Sequence, residues 1–219
     1  TQAVTAITAT TATGNGNVTS DGGSTITERG TVISTSANPT TADHRDTATG
    51  TTGAFTTSIT GLTKDTTYHV RAYAINSIGT SYDSDVSFIT AGDPTISTVA
   101  ASQVTATTAR LNASITLDGG EACTVTFVYK SGTGYDDYAA IVTAGGTQTA
   151  ASGTYIAGNL PYLDISDLEI VTTYSFAVKI TNSVSTAYGS VLTFTTKSNI
   201  MPPASLTAFP SSTTISMIW

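Results

Sequence analysis

The chain repeats itself, and the repeat sets the size of anything it can fold into. Residues 7–23 read ITATTATGNGNVTSDGG and residues 104–120 read VTATTARLNASITLDGG. The blocks match without a gap at an offset of about 97 residues, the length of one small domain. Further on, GLTKDTTYHVRAYAINSIGTSYDSDVSFIT (61–90) matches DLEIVTTYSFAVKITNSVSTAYGSVLTFTT (167–196). The offset there has grown, so the second copy carries an insertion, which falls within about 131–160. A third copy begins in PPASLTAFPSSTTISMIW (202–219). The expected organisation is a unit over 1–92, a second over 93–197, and a linker with the first strands of an incomplete third unit over 198–219.

Within each copy the apolar residues alternate with period two, the signature of a strand with one buried face. Tyr68, Val70, Ala72 and Ala74 share one face, with His69, Arg71 and Tyr73 opposite. In the second copy Tyr174, Phe176, Val178 and Ile180 oppose Ser175, Ala177 and Lys179. Turn signals separate the strands, among them Asp21-Gly22-Gly23 and Asp118-Gly119-Gly120. Roughly a fifth of the residues are Thr, which suits pleated, half-exposed surfaces. The fold class expected is all-β, antiparallel immunoglobulin-like sandwiches joined in tandem by short linkers into an elongated array.

Composition excludes several classes. Charged residues are only 11% and hydrophobic ones 39%, too apolar for a disordered chain. Eight Lys+Arg against fifteen Asp+Glu leave no basic surface for phosphates, so no nucleic-acid partner is expected. No apolar run approaches the ~20 residues of a membrane helix, so no membrane insertion is expected. The chain opens on Thr1 without a leader pattern, as a mature product or an excised piece does.

The segments GLTKDTTYHVRAYAINSIGTSY and DLEIVTTYSFAVKITNSVSTAY resemble those of tandem fibronectin type III domains, of the Thr-rich kind in bacterial surface and phage structural proteins. TERGTVISTSANPT (27–40) resembles the same subtype, and the C-terminal segment ending at Trp219 resembles the opening strands of a more conventional member. The resemblance implies a tyrosine corner in each copy, formed by Leu62 with Tyr68 and by Leu168 with Tyr174. It implies a fold, while function on this fold is set by added sites. Glu28 aligns with Val125 at an inward position, where a bulge or an Arg partner is expected, since a bare buried carboxylate is costly.

Candidate chemistry is sparse. His44 and His69 are the only histidines, without a nucleophile motif, and are read as exposed polar residues. Two histidines and one cysteine do not make a zinc site, so neither metal nor cofactor is expected. The carboxylates Asp83, Asp85, Asp136, Asp137, Asp164 and Asp167 lack the spacing of a calcium loop. Cys123 aligns with Ile26 and is read as a small core residue. Tyr135, Asp136, Asp137, Tyr138 and Tyr155, in the insertion, form a candidate contact loop, because Tyr, Gly, Ser and Asp suit adaptable binding surfaces.

The function expected is a non-enzymatic extracellular structural or adhesion module, one repeat segment of a larger cell-surface, filament or virion fibre protein. The alternative is a spacer or carbohydrate-binding accessory module of a secreted carbohydrate-active enzyme. The partners expected are neighbouring copies or other structural proteins of the same assembly, with surface glycans for the alternative. The two terminal strands cannot bury their own apolar face. Either more chain follows, the favoured expectation, or they add to another subunit.

Overall fold

The computed structural model of the protein describes residues 1–199. The opening strands expected for a third unit, with Trp219 and any donation of them to another subunit, lie outside the described residues.

Among the described residues, alternating sequence becomes sixteen strands and one short helix. The first set is β1 (Gln2–Thr5), β2 (Thr11–Val18), β3 (Glu28–Ser34), β4 (His44–Ala48), β5 (Gly53–Thr60), β6 (Thr67–Ile75), β7 (Thr80–Tyr82) and β8 (Val86–Ile89). The second begins with β9 (Thr95–Ser102), β10 (Ala109–Leu117) and β11 (Thr124–Ser131), followed by the helix α1 (Tyr138–Thr143). It closes with β12 (Thr147–Ala150), β13 (Tyr162–Ile165), β14 (Thr173–Thr181), β15 (Thr186–Tyr188) and β16 (Leu192–Thr195). In the first set, one sheet runs β1-β2-β5 and the other β4-β3-β6, with β7 and β8 both on β6. The second set repeats this as β9-β10-β13 and β12-β11-β14, with β15 and β16 both on β14. All these pairings are antiparallel, so the described residues form two immunoglobulin-like sandwiches in tandem.

Two inward faces form each core. In the second sandwich Tyr174, Phe176, Val178 and Ile180 of β14 meet Leu111, Ala113 and Ile115 of β10, all at most 7% exposed. Phe194 stacks on Tyr174 with centroids 5.5 Å apart and meets Phe176 edge-on at 5.9 Å. The first core is smaller, built on Ala12, Ile33, Ile59, Leu62, Val70 and Phe88. Turns are made by the residues expected. Asp21 and Asp118 each accept from the N–H two residues on, at 2.9 Å, and the glycines that follow take positive φ.

The outer faces depart from the expected polar surface. The insertion is not a plain loop. Its helix α1 lies on the outer face of β11 and β14, where Tyr138 and Ile141 cover Val128 and Ala177 in a second small core. In the first sandwich Tyr73 sits on the face read as polar yet is 2% exposed. It lies opposite Gly30 and donates to Glu28 Oε1 at 2.6 Å.

Pairing β3 with β6 also corrects the place of Glu28. It stands opposite Ile75, whereas Val125 stands opposite Ile180, so the two copies differ in register by one residue here. One residue of slip exchanges the faces of a strand. Glu28 therefore points outward, where it accepts from Tyr73 and pairs with Arg45 at 3.4 Å. Arg29 takes the inward position instead. It is 6% exposed, lies over the Phe55 ring at 5.0 Å, and donates to the carbonyls of Thr49, Thr51, Thr52 and Gly53. Those carbonyls meet the hydrogen-bonding demand of a cation buried without a carboxylate.

Truncation of Phe176 to Ala should cost about 3–5 kcal/mol, read as a lowered denaturant midpoint. Hydrogen exchange should accelerate in β9–β16 and stay unchanged in β1–β8.

Candidate functional site

The insertion starts where β11 ends. Gly132 and Gly134 turn the chain at positive φ, and the Tyr135 hydroxyl donates back to the Ser131 carbonyl at 3.3 Å. Asp137 caps the helix, accepting from the Ala140 N–H at 2.7 Å. Tyr138 donates to Gln148 Oε1 at 3.1 Å and meets the Tyr188 ring at 5.4 Å, with Lys179 Nζ 5.6 Å from its own ring. Burial pushes its phenol up to about 12.

These positions correct the candidate contact loop. Tyr138 is 5% exposed and serves as core, because the helix needs an apolar anchor to lie on the sheet. Asp137 is committed to its cap. Tyr155 is far from both: it bridges Cys123, at the opposite end of β11 from Tyr135. An eight-residue strand separates them by about 25 Å. Tyr155 also packs against the second core and donates to the Ser152 carbonyl at 2.8 Å. Of the five, Asp136 and Asp137 are exposed, and Tyr135 and Tyr155 are half-buried.

Of the tyrosines assigned to corners, Tyr174 is buried in the second core and Tyr68, half-buried, packs against the first. The Thr63 N–H donates to the Tyr68 hydroxyl at 3.1 Å, and the Glu169 N–H to the Tyr174 hydroxyl at 2.9 Å. Leu62 is 8% and Leu168 6% exposed. Each hydroxyl thus ties down the loop that turns from one sheet into the other.

The remaining candidates have partners. His69 is half-buried rather than exposed, with Nδ1 2.9 Å from Asp85 Oδ2. His44 Nε2 lies 3.5 Å from Asp46. Asp83 pairs with the amino group of Thr1. Asp164 takes both Nε and Nη2 of Arg110, at 2.6 and 2.7 Å, which holds its carboxyl below the usual range. Asp167 accepts from Ser166 Oγ at 2.9 Å. Among the described residues, no three His, Cys, Asp or Glu side chains converge as metal ligands. No helix among them is long and apolar enough to cross a membrane. Cys123 is fully buried and donates to the Asp118 carbonyl at 3.2 Å, and burial pushes its thiol up to about 11.

A denser set of polar contacts lies where sequence reasoning placed only a linker. The Ala91 N–H donates to the Thr8 carbonyl, and the Asp65 N–H donates to Ala91, tying the segment to the first sandwich. The Gly92 N–H donates to the Gly119 carbonyl at 2.8 Å. Asn182 Nδ2 reaches the Gly92 carbonyl at 2.9 Å and the Asp118 carbonyl at 3.1 Å. Asp93 accepts from Lys64 Nζ of the first sandwich at 2.5 Å and from Ser185 Oγ of the second at 2.8 Å. Those two bonds, Lys64 first, hold its carboxyl below the ordinary range. Gly119 has φ +72, and a Cβ there would lie 2.1 Å from the Gly92 oxygen, so the fit needs a glycine. The available signal was the recurrence of Asn and Gly in both copies, as Asn76 with Gly22 and Asn182 with Gly119.

No family model matches the chain, and no curated protein matches it. Among solved structures, the chain is similar to the sensor domain of the anti-sigma factor RsgI4 of Pseudobacteroides cellulosolvens, in its short form. The identity is 22% and the TM-score 0.34, over 48% of this chain and 96% of that one. It is also similar to chicken CNTN1 FN1–FN3 domains, with 14% identity and a TM-score of 0.42, over 90% of this chain and 65% of that one.

Truncating Tyr138 to Ala should cost about 3–5 kcal/mol, as core aromatics do, while Asp136→Ala should fall within about 0.5 kcal/mol of the parent. Thermal denaturation of both variants checks the assignment. Cys123 should resist a thiol reagent at pH 8 until the chain unfolds, because both burial and a high pKa suppress the thiolate.

Proposed function

We propose that the chain is a non-enzymatic structural segment of a larger extracellular assembly, a cell-surface protein, filament or virion fibre, and that its task is to hold its neighbours at a set spacing and angle. Its partners are then neighbouring copies or other structural proteins of that assembly. The observation that carries this reading is the junction at residues 91–93. Its backbone and the Asp93 carboxylate are hydrogen-bonded to both sandwiches at once. A flexible tether leaves such groups to water, whereas a segment that transmits orientation ties them down. The inward commitments of Tyr138 and Tyr155 also favour packing over a ligand-facing aromatic platform. Sparse Lys and Arg leave few tryptic sites, as suits a chain outside the cell.

Small-angle scattering of the two-sandwich chain tests the reading. The parent should give one narrow distribution of dimensions, and the paired variant Asp93→Ala, Asn182→Ala a broader one with unchanged secondary structure. A broad distribution for the parent would refute the proposal. The acid dependence has a definite sign. Asp93 has a depressed folded-state pKa, so its contribution is present above the ordinary carboxylate pKa of about 4 and is lost as pH falls through the folded value. The junction should therefore loosen in acid, and 1 M salt should weaken the exposed Lys64–Asp93 pair at neutral pH.

A further inference from the structure

The strand β5 of the first sandwich runs over eight residues, Gly53–Thr60. It has β2 on one flank and, among the described residues, no strand on the other. Its inward row, Phe55, Thr57 and Ile59, is buried, while Ala54, Thr56, Ser58 and Thr60 are exposed. An edge strand turns the N–H and C=O of every second residue away from its neighbour. In the second sandwich the inward residues make the ladder, with the Ala113 N–H donating to the Pro161 carbonyl and the Ile115 N–H to that of Asn159. In the first, Gly16 faces Phe55, Gly14 faces Thr57 and Ala12 faces Ile59, in the corresponding places. The free backbone groups of β5 therefore belong to its outward row. Among the described residues these groups have no backbone partner outside the ladder. The inward Thr57 hydroxyl meets that of Thr31 at 2.7 Å, whereas the outward hydroxyls of Thr56, Ser58 and Thr60 meet no partner within the described chain.

Other edges are blunted in the ways sheet proteins use. β13 is four residues long, carries Asp164 and follows Pro161. β4 carries His44, Arg45 and Asp46, and β1 and β12 are four residues each. β9 is as long as β5, but it lies against the β15–β16 connection, where a Cβ on Gly189 would stand 2.5 Å from the Thr98 nitrogen. β5 has neither charge nor proline. The neutrality spreads across its whole sheet, since β1, β2 and β5 hold no charged side chain. The matching sheet of the second sandwich carries Arg110 and Asp164. The chain as a whole has fifteen Asp+Glu against eight Lys+Arg, a net charge of −7.

We propose that β5 is a self-pairing edge, through which two copies of this chain join antiparallel about a two-fold axis at Ser58. The β1-β2-β5 sheets of the two copies then run together as one. Ser58 faces Ser58 of the second copy, and Thr56 faces Thr60 of the second copy on either side of the axis. Each facing pair of free-edge residues exchanges two backbone bonds, about six in all. The hydroxyls of Thr56, Ser58 and Thr60 come side by side, and cross-strand Thr and Ser pairs hydrogen-bond. The backbone would serve any extended strand, but the charge distribution selects a second copy. Two chains of like net charge repel through their acidic surfaces, and over this sheet they meet neutral to neutral. A two-fold contact uses the same patch on both copies and closes at two. The inference rests on the structural-segment reading and deepens it by naming the surface through which neighbouring copies meet.

Sedimentation equilibrium of the full chain tests the pairing. The parent should pass from the mass of one chain toward that of two as concentration rises, and the Thr56 and Ser58 amides should exchange about tenfold or more slowly in the dimer. Ser58→Lys sets two like charges against each other at the axis. It should raise the dissociation constant about tenfold or more and leave the thermal midpoint of the dilute chain unchanged. Ser58→Asp should do the same, and an equimolar mixture of the two variants should recover the association. Ser97→Lys, on the exposed row of β9, should associate as the parent does. A parent that keeps the mass of one chain up to about 1 mM would overturn the proposal. So would a Ser58→Lys variant that associates like the parent, a mixture no more associated than its components, or a dimer whose Thr56 and Ser58 amides stay unprotected. Scattering of the dilute, unpaired chain decides the spacer reading separately. A fixed junction in chains that never pair sinks the self-pairing edge alone, and a loose junction in chains that pair through β5 sinks the spacer reading alone.

Discussion

Burial of the inward rows is the interaction on which the rest of the molecule depends. In the second sandwich the row Tyr174, Phe176, Val178 and Ile180 cannot be exposed without losing about 25 cal/mol for each Å² of apolar surface returned to water. Because side chains alternate along a strand, fixing that row fixes the opposite one. Ser175, Ala177 and Lys179 must then face outward, and the outer surface of the sheet becomes available for a second use. The tyrosine hydroxyls that accept from the loops at Thr63 and Glu169 extend the same constraint to the corners between the sheets.

The two sandwiches spend their outer faces differently. The second covers its outer face with α1, a six-residue helix too short to stand without tertiary support. Tyr138 and Ile141 supply that support by packing on Val128 and Ala177. The first covers its outer face with Tyr73 and turns Arg29 into the interior, where four loop carbonyls satisfy the guanidinium. The same strand order thus tolerates an aliphatic residue, Val125, in one copy and a hydrogen-bonded cation in the other. Each position is served by a complete set of partners for whatever stands there.

The junction shows how a repeat becomes a directed array. The exit of one sandwich is the entry of the next, so residues 91–98 serve as linker and as first strand at once. Gly119 and Asn182 receive the backbone, Ile96 enters the core, and Asp93 links Lys64 to Ser185 across the boundary. A linker that is also part of a core loses its freedom when that core forms. On the proposed spacer reading, orientation is then set by folding itself and needs no separate interface.

Much of this was legible in the residues. The matching blocks gave two units of like size. The alternation along 68–74 and 174–180 gave strands and their buried faces, and the paired Asp-Gly-Gly turns gave their ends. Each of those signals is local: a side chain's face follows from its neighbours in the chain. The face of Glu28 was misread because one residue of register separates the copies there, and only pairing with β6 reveals it. Tyr138 was taken for a surface residue because six residues carry too little periodicity to announce a helix, and because nothing in a local pattern says which segment folds back onto an outer face. The same holds for Tyr73 and for the buried linker. The sequence alone determined where strands form and which rows meet inside each sandwich. Tertiary structure alone decided what covers the outside and how the sandwiches join, because those contacts link residues without a shared local pattern, 45 apart for Tyr73 with Glu28 and 90 apart for Asn182 with Gly92.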